Sequence, residues 1–189
     1  MKSEFERKTE FETKVRDIMA FLEENYDWKF NEEEKKNTPK RIVAMFDEWE
    51  AKNKYNKITD FDNYYRYNNM IILKNIDFQA FCSHHLLPFI GQVSIGYIPS
   101  DKVLGASKLG RIVQNYAYKP QVQEKLTEEI ADEVMKKTKA KGVIVVIKAK
   151  HLCMVMRGLN DPNIEMVTSS IRGVFEKIEV RNEFLELVK

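Results

Sequence analysis

Soft metal ligands are scarce in this chain of 189 residues, which contains two cysteines and three histidines. Two cysteines cannot supply a disulfide framework for a chain of this size, so a reducing, cytoplasmic setting is expected. The chain also lacks an excess of one charge, because 31 Lys and Arg nearly balance 29 Asp and Glu. The formal net charge of +2 therefore gives no case for general nucleic-acid binding.

Long apolar runs are absent as well. No segment approaches the roughly 18 apolar residues of a membrane helix, and the first residues lack the apolar core of a signal peptide. A chain of this length can bury the core of one domain. We therefore expect a soluble globular protein with no membrane partner.

The first part of the chain predicts helices. Apolar residues recur at helical spacing over 11–22, and Thr38-Pro39 has the form of an N-cap followed by proline at the first helical position. The polar, aromatic-rich stretch 52–67 is the expected internal boundary. It divides an N-terminal helical segment (1–66) from the main domain (67–189), and the two are expected to form one compact unit overall.

The second part predicts the order strand, strand, helix, helix, strand, strand. Alternating and β-branched apolar residues predict the strands, and helical spacing predicts the helices. A turn is predicted at 99–102 and a closing helix at 181–188. The predicted strands and helices cover 70–81, 92–98, 108–118, 122–134, 143–147 and 166–175.

All five soft ligands fall in two clusters, Cys82-Ser83-His84-His85 and His151-Leu152-Cys153. Zinc prefers thiolate and neutral imidazole, and catalytic zinc sites take three such ligands and leave one position for water. Cys82 and His85 have a usual zinc-ligand spacing, whereas the adjacent His84 points elsewhere in an extended chain. The simplest interpretation places Zn²⁺ on Cys82, His85 and Cys153. His84 and His151 then serve proton transfer.

Two other interpretations of these clusters stay open on sequence grounds. A closed structural zinc site would take its fourth ligand from the remaining histidines. Alternatively, both cysteines are buried and inert, and the histidines are unrelated to them.

Ser107-Lys108-Leu109-Gly110-Arg111 stands where a helix is expected to begin. Ser107 is most simply an N-cap. Lys108 and Arg111 oppose the helix dipole there, so they favour a phosphate site, although a solvated charged face is the alternative.

Gln123 and Glu124 open the next predicted helix. A carboxylate at a helix start is favoured by the dipole, which is a sufficient structural reason for Glu124. A carboxylate beside an amide can also read the N1–H and exocyclic amine of guanine through two parallel hydrogen bonds. Arg157 and Arg41 taken alone are consistent with surface charges.

Taken together, these segments resemble the GTP cyclohydrolase I family. The matching segments are Thr38-Pro39-Lys40-Arg41, 82–91, Gly96-Tyr97-Ile98-Pro99, 105–113, 120–126, 151–158 and Thr168-Ser169-Ser170. The resemblance implies an α+β tunnelling fold, an antiparallel four-stranded sheet with two helices in the order ββααββ, preceded by the N-terminal helical segment. It also implies that identical subunits join into a barrel and that two five-membered rings form a decamer.

The chemistry implied by the resemblance agrees with the residue types. Zinc on the residues matching Cys82, His85 and Cys153 activates water for attack on C8 of GTP, and C8 leaves as formate. The ribose then rearranges and closes to give 7,8-dihydroneopterin triphosphate, a first step of pterin and folate biosynthesis. His151 is the implied main proton donor, with His84 assisting.

The resemblance also assigns substrate contacts. Gln123 and Glu124 hold the base, and Ser107 assists the ribose steps. The implied triphosphate ligands are Lys108, Arg111, Arg157 and, from an adjacent subunit, Arg41.

One departure from the family pattern is Ser83, where the first cluster usually has glutamate, and Ala80 stands where a small hydroxyl residue is common. Neither position is a zinc ligand, so metal binding is expected to survive. Alternative functions are a tunnelling-fold enzyme for another purine or pterin, and a non-catalytic zinc-stabilised binding module.

Overall fold

The structure is a computed structural model that describes residues 2–52 and 58–189. The chain divides into two compact units, Met1–Lys52 and Asn53–Lys189. Residues 53–57, which belong to the predicted boundary stretch, lie outside the described residues. The division into domains 1–66 and 67–189 stays a prediction.

The first unit is a pair of antiparallel helices, α1 (Glu4–Asn25) and α2 (Glu32–Lys52). Arg7 near the start of α1 forms an ion pair of 2.9 Å with Asp47 late in α2, and Glu23 near the end of α1 pairs with Lys35 at 3.1 Å. Apolar side chains at helical spacing fill the interior: Val15, Met19 and Val43.

The start of α2 corrects one prediction. Asn31 accepts a hydrogen bond from the Glu34 backbone N–H at 3.0 Å, and the Glu34 carboxylate accepts one from the Asn31 backbone N–H at 2.8 Å. This reciprocal cap begins the helix before Glu32, so the prediction that the helix opens at Thr38-Pro39 is wrong. Pro39 lies inside α2 and removes one backbone hydrogen bond there.

The second unit is built on a five-stranded sheet in the order β5-β2-β3-β6-β7. Neighbours among the four long strands are antiparallel, while the short β5 runs parallel to the end of β2. A separate two-stranded sheet joins β1 to β4. The strands are β1 (Asp60–Asp62), β2 (Ile71–Cys82), β3 (Pro88–Ile98), β4 (Lys102–Leu104), β5 (Pro120–Gln121), β6 (Gly142–His151) and β7 (Met166–Gly173).

Four helices accompany this sheet: α3 (Ala106–Ala117), α4 (Gln123–Thr138), the short α5 (Leu152–Val155) and α6 (Ile178–Val188), with a 3-10 turn at Val174–Glu176. The main core lies between one sheet face and the pair α3 and α4. It joins alternate residues of β2, β3 and β6 to the apolar faces of the two helices, among them Val93, Ile147, Leu109 and Ile130.

Among the described residues, those that cover the opposite face of the sheet lie at one end of it. Phe175 and Phe184 pack there against Ile144 and Val146, which is why the first six residues of β6 are buried on both faces. Beyond them Lys148 is exposed, and the pattern returns to alternation.

The predicted order of two strands, two helices and two strands is confirmed, and so is the α+β class. The first strand is continuous but irregular, because a register shift between Leu73 and Ile76 contains Asn75 with a φ of 59°. That shift keeps both halves of β2 facing the core. The segments β1, β4, β5 and α5 were not predicted, because two to four residues are too few to show a period.

The final predicted strand, 166–175, ends earlier than expected. The backbone leaves the sheet at Gly173, where φ is 62° and a Cβ would lie 2.2 Å from the Lys141 carbonyl oxygen. No helix among the described residues is both long and apolar enough to cross a bilayer.

Candidate active site

The two ligand clusters meet at one end of the sheet. Cys82 ends β2, and the turn to β3 is closed by hydrogen bonds from the Cys82 N–H to the Leu87 carbonyl (2.9 Å) and from the Leu86 N–H to the Cys82 carbonyl (2.8 Å). Leu86 adopts a φ of 53° within this turn. His151 ends β6, and Cys153 lies in α5 directly after it. Because β2 and β6 both run antiparallel to β3, their C-terminal ends lie at the same end of the sheet.

The ligand atoms of Cys82, His85 and Cys153 all lie within 4.8 Å of one another. Cys82 Sγ is 3.9 Å from His85 Nδ1. A tetrahedral zinc ion with bonds of about 2.0–2.3 Å holds its ligand atoms about 3.7 Å apart. The three side chains therefore fit a metal ion of this type with small adjustments, and two thiols with one imidazole form a donor set suited to it.

Both thiols are buried and neither is in a disulfide. Burial raises the pKa of the Cys153 thiol, and the adjacent Cys82 sulfur raises it further. A bound divalent cation reverses that preference, since it stabilises thiolate directly. The two buried cysteines are therefore better suited to binding a metal ion than to remaining as free thiols.

His84 is the neighbour that does not join the group. Its Nδ1 is 3.8 Å from Cys82 Sγ, but it is not among the side chains that share the 4.8 Å limit. The His84 and His85 rings are inclined at 72°, and His84 is exposed at the edge of the cavity described below. The assignment of His85 to the metal and of His84 to proton transfer stays a prediction.

His151 is held from two sides. Its ring stacks on Phe89, its direct neighbour on β3, with centroids 4.4 Å apart and planes at 4°. Its Nε2 is 2.8 Å from Gln123 Oε1. Burial lowers the pKa of His151, and the negative charge of Glu124 opposes that shift.

A cavity of about 450 Å³ surrounds these groups. It brings together both clusters with the predicted substrate residues Gln123, Glu124 and Arg157. Sequence reasoning did not single out several of its other lining residues, namely Gln121, Met154, Gly158, Leu159 and Met166.

Gln121 supports the first cluster from β5. Its carbonyl accepts a hydrogen bond from the Ser83 N–H at 2.9 Å. Its buried side chain donates to Glu129 Oε2 at 2.7 Å and to the Tyr116 carbonyl at 3.0 Å. The sequence signals for this support are weak, namely its position two residues before Gln123 and its place in the matching segment 120–126, because the hydrogen bonds join residues that are distant in the chain.

Ser107 is not the N-cap of α3. The helix begins at Ala106, its N-cap is Gly105, and no side chain caps the first turn. The prediction of an N-cap at Ser107 is therefore wrong by two positions. Ser107 is exposed at the second helical position.

The start of α3 also lies away from the cavity. Leu104, just before the helix, donates its N–H to the Tyr97 hydroxyl at 3.1 Å, at the far end of the sheet, whereas the Tyr116 carbonyl near the helix end contacts Gln121. With a rise of about 1.5 Å per helical residue, the first turn is about 20 Å from Cys82. Ser107, Lys108 and Arg111 do not line the cavity.

Arg41 belongs to the first unit, on α2, where its guanidinium donates to the Glu33 carboxylate at 2.7 Å. A larger cavity of about 720 Å³ is lined by Asp62, Tyr67, Asp101 and Lys141, among others. It contains none of the cysteines or histidines, so the smaller cavity is the candidate active site.

Fold and site together define a class of protein: an α+β protein that can hold a metal ion on two cysteines and one histidine, next to a buried histidine and a carboxylate. Within that class, the family model of GTP cyclohydrolase I matches residues 11–189, and the chain belongs to that family. The tunnelling fold expected from the resemblance is confirmed by this membership and by the ββααββ order.

Relatives of the chain carry the same family name. It is 51% identical over 155 residues to GTP cyclohydrolase 1 of Aquifex aeolicus (strain VF5), covering 82% of this chain and 84% of the relative. The protein of the same name from Hydrogenobaculum sp. (strain Y04AAS1) is 49% identical over 82% of this chain and 85% of its own. That of Carboxydothermus hydrogenoformans is 39% identical over 96% of this chain and 94% of its own.

Proposed function

We propose that this protein hydrolyses the imidazole ring of GTP in a zinc-dependent reaction, releases C8 as formate and rearranges the remainder to 7,8-dihydroneopterin triphosphate. This reaction is a first step of pterin and folate biosynthesis. The observation that carries the proposal is the convergence of Cys82, His85 and Cys153 within 4.8 Å, in one cavity with His151 and Glu124. Membership of the GTP cyclohydrolase I family gives the reaction class.

Zinc is the proposed ion, and when bound by three protein ligands it supplies Lewis acidity and lowers the pKa of water to about 7. Among the described residues the metal-binding group has three members, which suits a catalytic site with one open position. That count disfavours the closed site of a zinc-stabilised binding module.

His151 is the proposed proton donor to the purine, and its stacking on Phe89 holds the ring plane. His84, exposed at the cavity edge, assists. Glu124 is the proposed reader of guanine through the N1–H and exocyclic amine. Its place in the cavity wall, at the start of α4, supports this role.

A triphosphate needs several cations, and Arg157 lines the cavity. Within one subunit, the first turn of α3 is about 20 Å from Cys82. We therefore assign Lys108 and Arg111 to the triphosphate of a neighbouring subunit's site. Ser107 is assigned to the ribose steps in that same neighbouring site. Arg41 is likewise assigned to an adjacent subunit. The active form is therefore proposed to be a homo-oligomer, a decamer in which subunits join their sheets into a barrel and two five-membered rings stack.

A reducing, cytoplasmic location is proposed from the ligands themselves, since both cysteines must stay thiols to bind zinc. A tunnelling-fold enzyme for another purine or pterin is the alternative function. It differs in its base contacts, so guanine selectivity separates it from the proposed function.

The test is incubation of zinc-loaded protein with GTP, with formate and the dihydroneopterin chromophore as readouts. We expect both products from GTP and neither from ATP. Removing the metal with a chelator should abolish formation of both, and added zinc should restore it. Equal turnover of ATP, or full turnover after complete metal removal, would contradict the proposal.

A further inference from the structure

The amide of Gln123 is fully occupied by the protein. Its Nε2 is 3.0 Å from the Met166 carbonyl, 3.3 Å from the Ile147 carbonyl and 3.1 Å from Thr168 Oγ1. Carbonyl oxygens only accept, so the nitrogen must face them and the orientation of the amide is determined. Gln123 is 1% exposed, which removes water as an alternative partner.

This orientation determines the proton on His151. Gln123 Oε1 has no hydrogen to give, so at 2.8 Å it must accept from His151 Nε2. Neutral His151 therefore carries its hydrogen on Nε2 and a lone pair on Nδ1.

Two threonines extend the same chain of hydrogen bonds. Thr127 Oγ1 donates to the Gln123 backbone carbonyl at 2.7 Å, which uses its only hydrogen. The two threonine hydroxyls are 2.7 Å apart, so Thr168 is the donor between them. Thr168 Oγ1 then faces the amide nitrogen of Gln123 with a lone pair, as the acceptor that the amide needs.

We propose that Thr168 and Thr127 are positioning residues that act through Gln123 to hold His151 in the Nε2–H tautomer, so that protons pass to and from the substrate at Nδ1. The catalytic part of this statement rests on the proposed function, whereas the tautomer does not. Gln123 consequently serves His151 and does not contact the base through its side chain.

The network depends on the packing of α4 on the sheet. Thr168 on β7 lies opposite Ile147 on β6, and Gln123 and Thr127 are one turn apart on α4 above them. A buried network in which each member has a partner is rigid, and loss of one member leaves another polar group unpaired. Removing the Thr168 hydroxyl thus frees the Gln123 amide to turn.

The direct test is nitrogen NMR of zinc-loaded protein labelled with ¹⁵N-histidine, at a pH where imidazole is neutral. Three histidines give a simple spectrum, and His151→Ser identifies the His151 signals. We expect a protonated Nε2 and an unprotonated Nδ1 in the wild type. A protonated Nδ1 would overturn the proposal without any activity measurement.

Variants then test the threonines. Thr168→Val and Thr127→Val should give a mixture of His151 tautomers, and Thr168→Ser should restore the wild-type signals. Thr138→Val is the matched control, because Thr138 makes the same bond to the carbonyl four residues earlier on α4, at the other end of the helix. An unchanged tautomer in both Thr168→Val and Gln123→Leu would also overturn the proposal.

Kinetics connect the tautomer to catalysis. We expect kcat for formate release to fall about tenfold or more in Thr168→Val, as for other changes to residues that orient a catalytic group, while KM for GTP and zinc content stay near wild type. A wild-type kcat in a variant with mixed tautomers would overturn the positioning role. Absence of turnover in the wild type itself, with the tautomer as expected, would instead contradict the proposed function.

Discussion

At the residue scale, the metal-binding group joins side chains that are 71 positions apart in the chain, Cys82 and Cys153. Both thiols are buried within reach of each other, and burial raises the pKa of Cys153. A cation is what makes two adjacent buried thiolates favourable. The stability of the site and its metal content are therefore coupled.

Replacing Cys153 with serine should remove most of the zinc and lower the activity at least about a hundredfold. Substituting groups that only hydrogen-bond to metal ligands already lowers metal affinity or activity 10- to 100-fold. Metal analysis of purified protein and formate release measure the two effects. Ser83→Ala in the same turn is the control and should keep its zinc. Full turnover in Cys153→Ser would remove Cys153 from the ligand set.

Glu124 offers a second prediction at this scale. Glu124→Ala should lower kcat/KM for GTP by about 10- to 100-fold, because one bidentate pair with guanine contributes about 1–3 kcal/mol of discrimination. The ratio of GTP to ATP binding, measured by competition, checks this. Glu133→Ala on the same helix, whose partners Lys137 and Tyr116 lie outside the cavity, is the control for loss of a carboxylate. Unchanged guanine selectivity in Glu124→Ala contradicts its role.

At the element scale, the pairing of β3 with β6 positions His151, because their register places Phe89 against it. That close pairing leaves no space at Gly91, where a Cβ would lie 2.0 Å from the Lys148 carbonyl oxygen. A backbone atom cannot move aside without separating the strands. Gly91 is thus required for the register that positions His151.

Gly91→Ala should lower the free energy of unfolding by about 2 kcal/mol or more, through overpacking against backbone. Gly110→Ala is a matched control on α3, where the nearest atom to an added Cβ is Ile76 Cγ2 at 3.9 Å. It should raise stability by about 0.5–1 kcal/mol, because alanine is the better helix former. Denaturant unfolding of both variants measures the difference, and equal stabilities would refute the steric argument.

The same scale shows where sequence patterns succeed. The alternation in β3 and the helical spacing in α4 were predicted because each repeats over several periods. The start of α2 was missed because Thr38-Pro39 has the form of a helix start, whereas Asn31 and Glu34 make the actual cap. A local signature cannot show which of two competing starts the backbone takes.

At the scale of the whole molecule, one chain holds the metal-binding group and the basic first turn of α3 at separate places. The proposed function needs both at one substrate. Association of identical chains is the way to bring them together, and closed symmetric rings are a common outcome of such association.

Mixing inactive chains tests this arrangement. Cys153→Ser and Lys108→Ala should each be strongly impaired, and co-expression of the two should restore activity, since about one quarter of the mixed sites combine an intact metal half with an intact cationic half. The measurement is formate release by purified mixed oligomers. The double variant, with both changes in every chain, is the control and should stay inactive. No restoration in oligomers shown to be mixed would contradict a site shared between subunits.

What the sequence determined by itself is chemical: which side chains can bind zinc, accept a proton or carry positive charge, and which periods they follow. The spacing of Cys82 and His85 was enough to favour His85 over His84 as the metal ligand. The family resemblance then related those chemistries to one reaction.

What only the tertiary structure decided is which groups share a cavity and in which direction each hydrogen bond runs. The family resemblance implied that Gln123 holds the base, whereas folding surrounds its amide nitrogen with acceptors from β6 and β7. Lys108 is 45 residues from Cys153 in sequence and lies at the far end of the sheet from it. Such distances and directions follow from strand register and helix packing, which are non-local, so no pattern of neighbouring residues encodes them.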